Sequence, residues 1–262
     1  MLLDANLSIL FTELPLLERP AAAAKAGFDA VEFWWPFDTA DPSPAEVDVF
    51  IDALDGIPLV GLNFFAGDMP AGDRGVVSWP GRQAEFHASV EIAVDIARRT
   101  GGRTFNALYG NRVNGFTPSE QDELATANLT VAATAVQAVG GTIVLEPLSG
   151  APDYPLLTAA DALAVADRVP LDNVALLCDL YHLAVNGDDL DSVTSKHIER
   201  IGHVQFADAP GRGEPGSGQL ELLRHLTTLA ANGYRGHVGA EYRPTGATVD
   251  SFGWLKDFQE AQ

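Results

Sequence analysis

The stretch GTIVLEPLSG, residues 141–150, decides how the whole chain is read. Thr142–Leu145 is a short, branched, apolar run of the kind a parallel strand buried on both faces needs. Glu146 follows it directly, and Pro147 comes next. Packing alone does not select a carboxylate there, because a buried acid loses its hydration without return. In a parallel α/β barrel, by contrast, the C-terminal ends of the strands are where the chemistry collects.

The pattern recurs. Apolar runs at Leu3–Leu10, Ala30–Trp35, Leu59–Phe65, Thr104–Tyr109, Thr142–Leu148, Val174–Asp179, His203–Ala207 and His237–Tyr242 make eight strand candidates. Between them lie segments of helical spacing. Pro80–Gly101 sets Phe86, Val90, Val94 and Ile96–Ala97 on one side and stops at a glycine. Pro118–Gly140 opens with Thr117 as cap and Pro118 at the first helical position. Ala22–Ala26 ends at Gly27, and Leu220–Ala231 ends near Asn232–Gly233. Eight such alternations in 262 residues predict one (β/α)8 TIM barrel spanning residues 1–262. An open doubly wound sheet is the alternative. It is disfavoured because no G-x-G-x-x-G or G-x-x-x-x-G-K-[ST] loop follows an early strand.

Composition narrows the partners. With 36 acidic and 16 basic residues the net charge is −20, which repels nucleic-acid backbones and anionic membrane surfaces. A small anionic substrate remains compatible, because one arginine can reverse the sign inside a pocket. The N-terminus MLLDANLSIL has no basic region and does not read as a signal peptide. No apolar run approaches the roughly 20 residues of a membrane span. Cys178 is the sole cysteine, so no internal disulfide forms and a reducing cytoplasm is the expected compartment. Aromatic residues left exposed would offer a surface for a homo-oligomer.

The strand ends carry side chains that packing would not choose: Glu32, Asn63, Asn106, Glu146, Asp179 with His182, Gln205 with Asp208, and Glu241. Taken singly, each is more often a cap or an ion-pair partner. Together, Glu146, Asp179 and Glu241 would repel one another unless a cation or a proton shared their site. Carboxylates joined by the Gln205 amide suit a hard or borderline divalent ion, Mg2+ or Mn2+, better than zinc. Arg212 and Glu214 lie in the Gly/Pro-rich loop after Gln205. They are either a reach over the barrel mouth, with Arg212 gripping a carboxylate, or a solvated pair within the loop. Trp34, Trp35, Phe64 and Phe65 either wall a small dry pocket or cap the core.

The chain resembles the hydroxypyruvate isomerase family, within the xylose isomerase-like barrels of sugar isomerases and epimerases. The resemblance rests on ANLSILFTELP (5–15), AGFDAVEFWWPF (26–37), AGDRG (71–75), PGR (80–82), IVLEPLS (143–149), DLYH (179–182), GHVQFAD (202–208), RGEPGSG (212–218) and GAEYRP (239–244). It implies isomerisation of hydroxypyruvate to tartronate semialdehyde (2-hydroxy-3-oxopropanoate), with a divalent metal on Glu146, Asp179, Gln205 and Glu241. Many epimerases of the wider group have histidine where this chain has Gln205. The resemblance further implies His182 and Arg212 beside the substrate, and the strand-end positions add Asn106 and Asn63 to the expected substrate-binding set. The chemistry of a carbonyl shift makes Glu146 and Glu241 the expected acid/base pair of a cis-enediolate route. Relatives acting on four-carbon 2-oxo acids share these motifs, so 2-oxo-tetronate isomerisation and sugar 3-epimerisation stay open, as does a non-catalytic metal-binding barrel.

Overall fold

A computed structural model describes residues 2–260. Eight parallel strands close into a barrel in chain order: β1 (Leu2–Asn6), β2 (Ala30–Phe33), β3 (Leu59–Asn63), β4 (Thr104–Asn106), β5 (Thr142–Leu145), β6 (Val174–Asp179), β7 (Ile201–Phe206) and β8 (His237–Ala240). Around them run α1 (Arg19–Ala26), α2 (Pro44–Ala53), α3 (Gln83–Thr100), α4 (Pro118–Gln137), α5 (Ala159–Ala166), α6 (Leu180–Val185), α7 (Leu190–Lys196), α8 (Leu222–Ala231) and α9 (Leu255–Glu260). None of the described helices is long and apolar enough to cross a membrane.

Local chemistry sets the helix ends. Ser43 with Glu46, Thr117 with Glu120 and Thr158 with Asp161 each form a reciprocal capping box at the starts of α2, α4 and α5. Gly27 and Gly101 close α1 and α3 in the left-handed region. The start expected at Pro80 moves to Gln83, because Gly81 sits at φ 88° and cannot join a helix. Helix α1 begins earlier than expected, at Arg19, with Pro20 in its first turn.

Seven of the eight strands differ from the apolar runs, all seven by ending sooner. The residues beyond the ladder often make one last barrel bond: Leu7 N–H donates to Glu32 O (2.9 Å), Ala107 N–H to Val144 O (3.0 Å) and Glu241 N–H to Phe206 O (3.0 Å). The chain then turns outward while still burying side chains, which is why the sequence stays apolar past the strand. Phe64 is core, whereas Trp34 lines the barrel mouth.

The barrel interior is unusual in its polar content. Side chains two apart on a strand share a face, so Asp4 and Asn6, His203 and Gln205, and Gly239 and Glu241 point the same way. The register sets Asn6 beside Glu32, Glu32 beside Gly61, Asp179 beside Gln205, and Gln205 beside Gly239. Among the described aromatic side chains only Phe116 is exposed. Trp35, Phe37, Phe65 and Trp79 are half-buried.

Candidate active site

A cavity of about 540 Å³ opens at the C-terminal ends of the strands, walled in part by Trp34, Asn63, Glu146, His182, Arg212 and Glu241. Asn106, Asp179 and Gln205 are buried and do not line it. Asn106 supports the cavity indirectly, its amide donating to Glu146 Oε2 at 2.6 Å. Asn63 stands in the wall itself.

Asp179 ends β6 and caps α6. Its Oδ1 accepts from the Tyr181 and His182 N–H groups at 2.7 and 3.2 Å, which leaves Oδ2 buried with no hydrogen-bond partner. Gln205 likewise spends its amide nitrogen on Glu32, at 2.6 Å, and leaves Oε1 buried and unpartnered. Glu241 is held on both oxygens. Oε1 accepts from Trp34 Nε1 (2.6 Å) and Asn6 Nδ2 (2.9 Å), while Oε2 pairs with Arg212 at 2.6 Å. The same guanidinium nitrogen lies 3.9 Å from Asp179 Oδ2, and its carbon lies 5.5 Å from the centre of the Tyr181 ring.

Arg212 thus turns inward, and the loop-internal pair with Glu214 does not form. Glu214 instead accepts from the Thr245 hydroxyl and N–H at 2.6 and 3.1 Å, tying the two rim loops together. Asp208 organises the same loop, taking the N–H groups of Ala209, Gly216 and Leu220. Arg74 and Arg243 also line the cavity, so three cations meet at one mouth of a strongly acidic chain.

The electrostatics follow from burial. Desolvation, reinforced by Glu241 and Asp179, holds the Glu146 carboxyl well above the usual carboxylate range despite Arg212 nearby. Glu241 is pushed up to about 7, first by burial and then by Asp179 and Glu32, with Arg212 opposing. Burial pulls His182 down to about 4, so its ring is neutral near pH 7. Ser149 N–H donates to His182 Nδ1 at 2.9 Å, which places the ring proton on Nε2. Nε2 lies 3.8 Å from both Glu146 Oε1 and Asp179 Oδ2.

Glu146, Asp179 and His182 bring one ligand atom each within 4.8 Å of one another, as do Asp4, Glu32 and His203 below them. These buried groups can hold a metal. The donor chemistry of the upper set fits one: two carboxylates that repel each other, with Asp179 Oδ2 lacking a hydrogen-bond partner, as does Oε1 of Gln205, the register neighbour of Asp179.

Sequence reasoning did not find Asp4, Asn6 or His203 as parts of this assembly, whereas Trp34, a candidate pocket wall, does line the cavity. The signal was available in the spacing, since Asp4 and His203 each sit two residues before a residue of the upper layer.

The xylose isomerase-like TIM barrel family matches residues 20–258. A Streptomyces coelicolor protein provisionally named a hydroxypyruvate isomerase is 51% identical, over 96% of this chain and 94% of its own. The Escherichia coli hydroxypyruvate isomerase is 32% identical over 98% of both chains. The Haemophilus influenzae 2-oxo-tetronate isomerase is 34% identical over 97% of this chain and 98% of its own. A crystal structure from Brucella melitensis, described as an AP endonuclease of family 2, superposes with a TM-score of 0.89 at 35% identity, covering 98% of this chain and 99% of that one. The chain belongs to the xylose isomerase-like TIM barrel family.

Proposed function

We propose that the chain is an isomerase that interconverts hydroxypyruvate and tartronate semialdehyde. The observation that carries this reading is the pair Glu146 and Glu241, two buried carboxyls with raised proton affinity in one small cavity. Relatives named for carbonyl isomerisation of three- and four-carbon 2-oxo acids support it.

The reaction takes a proton from C3 of hydroxypyruvate, leaves an enediolate across C2 and C3, and returns a proton to C2. The C3 hydroxyl gives up its proton as the aldehyde forms and the C2 oxygen gains one as it becomes a hydroxyl, so protons and electrons balance with no redox cofactor. Glu241 stands in the cavity wall with its Oε1 fixed by Trp34 and Asn6, which places a carboxyl where an acid/base group is needed. Glu146 is its partner. His182, neutral with its proton on Nε2, donates to a substrate oxygen. Arg212, helped by the other rim arginines, holds the substrate carboxylate. Glu146, Asp179, Gln205 and Glu241 are the residues that would hold a divalent cation, Mg2+ or Mn2+, which would supply polarisation of the substrate oxygens and charge compensation. The lone buried Cys178 suits the reducing cytoplasm as the place of action.

Product analysis tests the reading. Carbonyl migration on hydroxypyruvate, with kcat/KM above that for a four-carbon 2-oxo-tetronate, is expected. Preference for the four-carbon acid would reassign the substrate, and inversion at carbon or loss of water would reassign the reaction. A net charge of −20 opposes a phosphate backbone and so disfavours a nuclease activity. Arg212→Ala is expected to raise KM for a 2-oxo acid about tenfold or more, the scale of a lost charged hydrogen bond. An unchanged KM with lower kcat would assign Arg212 to Glu241 alone.

A further inference from the structure

We infer that Glu32 is the positioning residue for Gln205: it fixes the Gln205 side chain so that the carbonyl oxygen faces the Glu146–Asp179–Glu241 set, and the cation affinity of that set depends on it. The inference rests on the reading of Gln205 as a cation ligand.

An amide has two ends of opposite character and similar shape, and only its hydrogen-bond partners decide which end faces where. Glu32 Oε1 takes the Gln205 nitrogen at 2.6 Å, and an acceptor oxygen can be satisfied only by the NH2 end. The other end, Oε1, is therefore turned away from Glu32, and it is buried without a partner. Were the amide reversed, an N–H donor would face the carboxylate set and repel any cation there.

Glu32 is itself held rigidly. Its Oε2 meets His203 Nε2 at 2.7 Å, and its Oε1 also accepts from Asn6 Nδ2 at 3.0 Å. Asn6 holds Glu32 from the side, its amide nitrogen being shared with Glu241 Oε1 at 2.9 Å.

The backbone makes room for it. A Cβ on Gly61 would stand 2.9 Å from Glu32 Oε2, and one on Gly239 would stand 2.8 Å from Glu32 Oε1. Neither glycine has a left-handed φ, so their absent side chains answer to space. A layer meant only to stabilise a barrel is filled by branched aliphatics. Here two strands give up their side chains to seat an acid, 3% exposed, beneath the mouth.

Calorimetric titration with Mn2+ tests this on four proteins: wild type, Glu32→Gln, Gln205→Ala and the double variant. Both single variants are expected to lose about 10–100-fold in Mn2+ affinity, as orienting partners of ligands do. The double variant should lose no more than Gln205→Ala alone, because Glu32 acts through Gln205. Wild-type affinity in Glu32→Gln, or losses that multiply in the double, overturns the inference. Wild-type affinity in Gln205→Ala instead removes Gln205 from the ligand set and defeats the reading beneath it. If Glu32→Gln unfolds through loss of the His203 counter-charge, Glu32→Gln combined with His203→Asn removes both members and should show the same loss. Independently of any variant, the Gln205 side-chain NH2 protons should exchange slowly in the wild type with and without Mg2+. Exchange at the rate of an exposed amide would also overturn it.

Discussion

Glu241→Gln and Glu146→Gln are each expected to cut turnover by about 10²–10⁴-fold, the range of general acid–base catalysis, while leaving the barrel folded. The substitution is nearly isosteric. In Glu241→Gln a carbonyl oxygen can still accept from Trp34 and Asn6, so the side chain keeps its place while losing its ability to carry a proton. Stability should not fall with activity. Glu146 and Glu241 lie among carboxylates that raise one another's proton affinity, and removing one relieves that repulsion. A metal-free variant that melts no lower than metal-free wild type, yet barely turns over, is the expected signature of a residue kept for chemistry. Full activity in either variant would remove that residue from the acid/base pair. Glu241→Gln also leaves Arg212 with Asp179 as its remaining carboxylate contact, so a rise in KM there would report a displaced guanidinium.

The upper layer of this site was legible because the barrel rule converts position into placement. Once Thr142–Leu145 is a strand, Glu146 must reach the rim, and the same holds for Asp179 and Glu241 on their strands. Nothing comparable marks the layer beneath. Asp4 lies near the start of the chain and reads from sequence mainly as an interruption of an apolar run. His203 opens the sequence HVQF, where a histidine passes for an edge residue. Only closure of the barrel brings β1, β2 and β7 residues together, and closure is a long-range event that local patterning does not encode. The direction of Arg212 was hidden for a different reason. A loop arginine has many rotamers, and here a backbone at φ 59° and two buried carboxylates choose among them. Strand lengths were overread for a physical cause already visible in the structure: residues just past the ladder remain buried and so remain apolar.

Cation affinity should fall as pH is lowered through about 7, and removal of the cation should destabilise the protein more at pH 8 than at pH 6. Both follow from the sign of the Glu241 shift. Its carboxyl is raised to about 7 in the folded, metal-free protein, against about 4.3 in an unfolded chain. A group raised in this way contributes stability that is fully present below the unfolded value and is lost as pH rises through the folded one. Ionised Glu241 is thus a liability to the metal-free protein near pH 8, and a cation removes that liability by replacing the proton. Glu146, also raised, acts in the same direction. His203 adds to the trend: burial alone would depress it, but Glu32 wins and raises it to about 9, so its contribution too fades toward alkaline pH. His182 does not compete for protons in this range, since it sits at about 4. Mn2+ titrations near pH 7 in buffers of different ionisation heat should therefore show protons released on binding, with release declining at higher pH. Melting curves with and without a chelator at pH 6 and pH 8 give the second measure. Affinity unchanged between pH 6 and 8 would mean that the cation does not contact the carboxyls that hold those protons. The ligand set would then have to be sought elsewhere, with the lower cluster of Asp4, Glu32 and His203 the next place to look.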